Sequence, residues 1–201
     1  MATLQNLQSG QITGDERPGN STQLRAVEGR LAALEARVAE LEGRLPEDRV
    51  ALVVFSGELD KVLAAFVIAT GAAALSQQVS MFFTFWGLNA LRTKKRLSGK
   101  SFFEQLMAVM SPGGSRALPV SKLNFFGIGA RMLRAMMQQK HVSSLEDLMA
   151  MARELGVRIV ACEMSREVMG IRDEELLDGL EFGGVASFLG EALKSRATLF
   201  V

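Results

Sequence analysis

Cys162 is the only cysteine in this 201-residue chain. A thiolate is an intrinsically strong nucleophile, and it is the reactive form of the group. The residue ends the run Val157-Arg-Ile-Val-Ala-Cys162, which reads as a strand, and a helix is predicted to open just beyond it near Ser165. In parallel α/β sheets the carboxyl edge of the strands is where loops and helix N-termini converge into sites. A helix N-terminus favours the thiolate form, and the neighbouring Glu163 opposes it. Position alone leaves two readings open: a reactive thiol, or a thiol that only packs.

Other chemistries find less support. One Cys and one His cannot supply the roughly four ligands of a Cys/His zinc site, so no metal is expected. A lone cysteine also forbids an intrachain disulfide, and the N-terminus lacks a signal pattern, which together predict a cytoplasmic protein. Gly99-Lys100-Ser101 resembles the end of a phosphate loop, but Lys94 stands where that loop needs its first glycine. Gly127-Ile-Gly129 lacks the third glycine of a dinucleotide fingerprint, and no strand precedes it. There is no Gly-x-Ser-x-Gly elbow, and His141 sits in a polar, loop-like stretch. The eleven methionines read as core or interface filler. With 23 basic against 22 acidic residues, a nucleic-acid partner is not expected. No cofactor is implied.

The elements that must position Cys162 follow from patterning. Residues 1–23 are polar and read as a flexible tail. Leu24, Val27, Leu31, Leu34, Val38, Leu41 and Leu45 then alternate at steps of three and four, an a/d heptad seam in a helix spanning 24–46. Arg30, Arg37 and Arg44 occupy g, and Glu28, Glu35 and Glu42 occupy e. In a parallel pair Arg30 faces Glu35 and Arg37 faces Glu42, whereas antiparallel pairing sets like charges together. A short parallel coiled coil, ended by Pro46, is therefore expected to make a homo-oligomer through residues 24–45. The other reading is an amphipathic helix packed on its own domain.

Beyond Pro46, strands are predicted at 50–55, 79–85, 157–161, 180–185 and 197–201. Helices are predicted at 58–75, 124–139, 144–155 and 186–195, with short helical pieces at 165–170 and 173–178. The start of 87–140 reads as irregular. Alternation of this kind means a parallel sheet covered on both faces. Residues 62–91 carry no charge and are long enough to span a membrane. Gln77, Gln78 and Ser80 near the centre favour a buried helix followed by a buried strand instead.

Three separated motifs carry a resemblance. They are Phe82-Phe-Thr-Phe-Trp-Gly-Leu-Asn89, Ser121-Lys-Leu-Asn124 running into Gly127-Ile-Gly129, and Ala161-Cys-Glu-Met-Ser165 with Val168-Met-Gly-Ile171. Together they resemble the DsrE/DsrF/DrsH-like sulfur-relay family, in the subgroup often labelled peroxiredoxin-like, over residues 49–201. The resemblance implies a three-layer α/β/α fold with a five-stranded parallel sheet. It also implies a sulfur carrier or sulfurtransferase whose Cys162 accepts sulfane sulfur as a persulfide, with a TusA-like carrier or a rhodanese as partner. Peroxidase activity is not expected, since there is no resolving cysteine. Ser56, Thr84, Trp86, Asn89 and Ser165 fall at strand ends and are expected at the same sheet edge, with Lys122 supplying positive charge if the 92–140 insertion folds over it. The alternative is a non-catalytic interaction or membrane-peripheral module in which Cys162 is structural.

Overall fold

A computed structural model of the chain describes residues 18–43 and 45–201, with side chains from residue 23 onward. The chain divides into two units, one ending at Leu45 and one spanning Pro46–Val201. Helix α1 (Pro18–Glu42) makes up most of the described part of the first unit. It starts inside the stretch read as tail; residues 1–17 lie outside the described residues. The helix ends at Glu42, short of the expected Pro46; its six apolar heptad residues, Leu24 to Leu41, are exposed, as is Leu45 beyond its end.

The second unit is a five-stranded, wholly parallel sheet in the order β4-β3-β2-β1-β5. Its strands are β1 (Glu47–Val54), β2 (Gln78–Phe83), β3 (Arg158–Cys162), β4 (Glu181–Gly183) and β5 (Ser195–Phe200). Helices α2 (Leu59–Ala74), α3 (Phe102–Met110), α4 (Ile128–Gln139), α5 (Leu145–Glu154), α6 (Glu163–Val168) and α7 (Val185–Ala192) lie between them. The α/β class and the strand count agree with the expectation from patterning.

Side-chain parity sorts the strand residues between the two faces of the sheet, with the edge strands β4 and β5 largely exposed. On one face Leu52, Val54, Met81, Phe83, Ile159 and Ala161 join Leu59 and Phe66 of α2 and Leu145 and Leu148 of α5 in the main core. The Phe66 and Phe83 rings meet there at 5.9 Å between centroids. On the other face Phe82, Val160 and Cys162 form a small cluster against Phe188 of α7, with Phe82 and Phe188 stacked at 5.1 Å. The uncharged stretch 62–91 resolves into most of α2, then β2, then a 3₁₀ segment over Phe85–Leu91. No described helix is long and apolar enough to cross a membrane.

Differences from the sequence reading have local causes. β2 stops at Phe83, two residues early, because Trp86-Gly87 belongs to the 3₁₀ segment rather than marking a simple break. Gly87 is required there: an added Cβ would stand 2.1 Å from the Val54 carbonyl oxygen. Helix α3 forms inside the stretch read as irregular, started by a capping box in which Ser101 Oγ accepts from the Glu104 amide. The helix predicted from Asn124 begins only at Ile128, since Phe126 sits in the left-handed region at φ 55°. Where patterning and caps agree, they hold: Ser144 and Asp147 cap α5 reciprocally, and Gly156 takes φ 76° just beyond its end.

A buried ion cluster ties two crossovers together. Arg92 Nη2 donates to Glu175 Oε2 and Lys100 Nζ donates to Glu175 Oε1, with all three side chains almost wholly buried. The Arg172 amide adds a bond to Oε1 at 3.3 Å. Backbone pairs Thr93 N to Glu175 O (2.8 Å) and Leu177 N to Leu91 O (2.9 Å) flank the cluster. Burial pushes the Glu175 carboxyl upward, but the Lys100 and Arg92 hydrogen bonds outweigh it and hold the group below the usual carboxylate range. A depressed folded value means the cluster contributes stability above the unfolded value of about 4.3 and loses it as pH falls through the folded one. Glu175→Ala, which strands two buried cations, is expected to lower stability by about 3–5 kcal/mol in urea denaturation at neutral pH. The difference from the native chain is expected to shrink as pH falls below the ordinary carboxylate range and Glu175 itself becomes protonated; a loss under about 1 kcal/mol at neutral pH contradicts this account.

Candidate functional site

Register decides what surrounds Cys162. β2 and β3 pair with Phe82 opposite Val160, so two residues further along Thr84 comes opposite Cys162, on the same face. On the other side Cys162 pairs with Gly183 of β4. Helix α6 opens at Glu163, directly after the cysteine and two residues earlier than expected, with Cys162 itself at the N-cap position. One helical turn then returns Ser165 over the sulfur. Ser165 Oγ donates to Cys162 Sγ at 3.4 Å and lies 2.7 Å from Thr84 Oγ1. The three side chains form one buried polar series. Cys162 and Ser165 are both fully buried.

The remaining expected residues gather elsewhere on the same carboxyl edge. Ser56, Trp86 and Asn89 line a cleft of about 420 Å³ beyond the end of β1, walled by Phe55, Gly57, Pro112 and Pro119. This is the point where the strand order reverses: β2, β3 and β4 extend to one side of β1, and β5 lies on the other. Crevices at such points are habitual ligand sites. Lys61 Nζ donates to Ser56 Oγ at 3.3 Å and pairs with Glu58 at 2.8 Å. The Glu58 bond raises the Lys61 pKa, so the cleft carries a firmly protonated amine. Asn89 Oδ1 accepts from Arg92 Nη1 at 3.4 Å, which couples the cleft wall to the Glu175 cluster.

Thr84, Ser165 and Cys162 are thus brought together, and Ser56, Trp86 and Asn89 form a separate group. Lys122 joins neither. It is exposed in a loop anchored by its neighbour Ser121, whose amide donates to Asp60 Oδ1 at 2.9 Å. The insertion does not bring that amine over the thiol, because the loop is pinned to the first turn of α2. Sequence reasoning missed Lys61, Arg92, Lys100 and Glu175. The signal for the first was its place in the opening turn of α2. Of the other three, Arg92 and Lys100 lie 83 and 75 residues before Glu175 in sequence, and only charge links them to it. Among the described residues, no group of three or more His, Cys, Asp or Glu side chains could hold a metal ion.

A thiol with a hydroxyl donor at 3.4 Å, closed off by packing, can act as nucleophile or leaving group only when a partner reaches it. Comparison with known proteins adds context to that geometry. The model of the DsrE/DsrF/DrsH-like family matches residues 46–200. The uncharacterized protein YrkE of Bacillus subtilis is 41% identical over 154 residues, covering 76% of this chain and 96% of that protein. The sulfur carrier protein DsrE2 of Allochromatium vinosum is 31% identical over 160 residues, covering 78% of this chain and all of that protein. The crystal structure of YchN from E. coli aligns with a TM-score of 0.44 at 11% identity, over 76% of this chain and 98% of that one. On the match that spans the whole α/β unit, the protein belongs to the DsrE/DsrF/DrsH-like family.

Proposed function

We propose that the protein is a sulfur carrier or sulfurtransferase that holds sulfane sulfur as a persulfide on Cys162 and passes it to a partner thiol. The observation that carries this reading is the hydrogen-bonded series Cys162, Ser165, Thr84 at the carboxyl end of β3 in a chain with no second cysteine. Family membership and the relative named as a sulfur carrier support the substrate class.

The chemistry needs no redox step. The Cys162 thiolate attacks the outer sulfur of a donor persulfide; a new S–S bond forms, the donor's S–S bond breaks, and the donor leaves as a thiolate. An acceptor thiolate then attacks the outer sulfur held on Cys162, which departs as a thiolate in turn. The Ser165 hydroxyl, donating to Sγ, orients the sulfur at both stages. A rhodanese-type donor and a TusA-like acceptor suit this exchange, since each transfer requires only one thiol on either side. A reducing compartment such as the cytoplasm keeps the lone thiol available.

Full burial of the sulfur sets a condition on the mechanism: α6 or α7 must shift to admit a donor. The same burial favours a second reading, an interaction module in which Cys162 only packs. Iodoacetamide separates the two. Labelling of the native chain near neutral pH, at a rate set by opening of the cover, fits the carrier; complete protection until global unfolding fits the module. Incubation with thiosulfate and a rhodanese is expected to add one sulfur, about 32 Da, to the native protein and none to Cys162→Ser. Equal labelling of the variant overturns the carrier reading.

Assembly through α1 belongs to the same proposal. The exposed apolar seam of Leu24 to Leu45 and the alternating Arg and Glu beside it suit a parallel coiled coil between copies. Removing residues 1–46 is expected to lower the mass in light scattering while the α/β unit keeps its circular dichroism. Reversing Glu28, Glu35 and Glu42 to Lys is expected to weaken the assembly, because each then faces Arg or Gln across the seam. An unchanged mass after the deletion means that α1 does not hold the copies together.

A further inference from the structure

The chain is nearly neutral as a whole, yet its charge is sharply divided. Residues 92–140 contain ten basic side chains and a single acid, Glu104, leaving thirteen basic against 21 acidic in the rest. Arg92 and Lys100 are consumed by Glu175, and Arg134 pairs with Glu146 at 3.1 Å. The other seven are exposed, and among the described residues Lys94, Arg116, Lys122, Arg131 and Lys140 have no acidic partner.

The same stretch presents bare apolar side chains. Leu123, Phe125, Phe126, Ile128, Met132 and Met136 are all more than half exposed, and Phe126 is exposed to 108% of its reference area. Ile128, Met132 and Met136 repeat every four residues, so they form one line along the outward face of α4, while Leu133 and Met137 pack on the core. The turn before the helix is built to hold its phenylalanines out. Leu123, Phe125 and Phe126 take φ of 58°, 37° and 55°, a region that bulky side chains adopt only when their surroundings force it. Here Asn124 does so: its carbonyl accepts from the Gly127 and Gly129 amides at 2.8 and 3.1 Å, and its Oδ1 accepts from the Val120 amide at 3.3 Å. Exposed cations border both parts of this surface: Lys122, three residues before Phe125, and Arg131, immediately before Met132.

A face that is apolar at its tip and basic at its border fits one occupant best. A second copy of the same face would set seven exposed cations against seven others, which repels. A nucleic acid would use the charge and the four phenylalanines of the insertion, but it offers nothing to the aliphatic and thioether groups that make up the line on α4. An anionic bilayer takes both: the headgroups neutralise Lys and Arg, and the acyl boundary accepts Phe, Ile and Met. We infer that residues 121–136 dock this protein peripherally on an anionic lipid surface, with Phe125 and Phe126 entering the interface and Lys122 and Arg131 on the headgroups.

The inference does not depend on Cys162, and sedimentation of the full chain with lipid vesicles tests it. The native protein and Cys162→Ser are expected to pellet with phosphatidylcholine vesicles containing about a third phosphatidylglycerol, and not with phosphatidylcholine alone, with binding falling steeply in salt. Phe125→Ala with Phe126→Ala is expected to weaken partitioning by on the order of tenfold or more, without moving the thermal melting point, since neither ring contributes to the core. Lys122→Glu with Arg131→Glu is expected to weaken it at least as much and to flatten the salt dependence. Vesicle binding that both double variants retain in full overturns the inference. Absence of vesicle binding also overturns it, whether the phenylalanine variant then loses mass in light scattering, which makes the face a contact between copies, or the native chain instead binds a single-stranded oligonucleotide.

Discussion

The carboxylate of Glu175 is the point on which the site end of the molecule depends. A fully buried acid is tolerated only because two cations and a backbone amide close around it, and those cations arrive from the crossover that leaves β2. Glu175 itself belongs to the crossover that leaves β3. Thr84 heads the first crossover and Ser165 lies in the second, so the ion cluster holds together the two chain segments that supply the hydroxyls beside the thiol. It reaches the cleft as well, since Arg92 also grips Asn89. Replacing such a cluster with apolar groups need not cost stability, but removing one member leaves charge in a place that water cannot reach.

Within that frame the sheet does the positioning. Parallel pairing in fixed register makes Thr84 the lateral neighbour of Cys162, and the immediate opening of α6 turns Ser165 back over the sulfur. The small cluster of Phe82, Val160 and Phe188 then shuts the pocket on the sheet face opposite the main core. A hydroxyl donor beside the sulfur orients it, and the hydrophobic cover keeps solvent from it. An arrangement of that kind suits a thiol that reacts during encounter with a partner and is quiet otherwise.

The carboxyl edge therefore carries two separate features. The thiol series sits at β3, and the open cleft with Trp86 and the Lys61–Glu58 pair sits at the reversal point beyond β1. The 92–140 insertion contributes Pro112 and Pro119 to the cleft and directs its phenylalanine tip outward, so one excursion of the chain both walls a site and shapes a surface.

Much of this was written in local pattern. The five strands, the helix at Ser144 with its capping box, the heptads of α1 and the unusual standing of Cys162 all rest on neighbours within a few residues, where hydrophobic period, caps and glycine conformations act. The motif residues at the strand ends were legible for the same reason, because a strand end is a local event. Which of them meet was not. Thr84 and Ser165 are 81 residues apart and Arg92 and Glu175 are 83 apart, and only strand order and register bring each pair together. Helix α3 was missed behind the polar run 93–101 because most of its apolar side chains face outward, with only Met107 and Ala108 turned toward the interior. The burial of the thiol belongs to the same class: sequence alone determined that one cysteine ends a strand, and the packing of α6 and α7 across the sheet decided that it is covered.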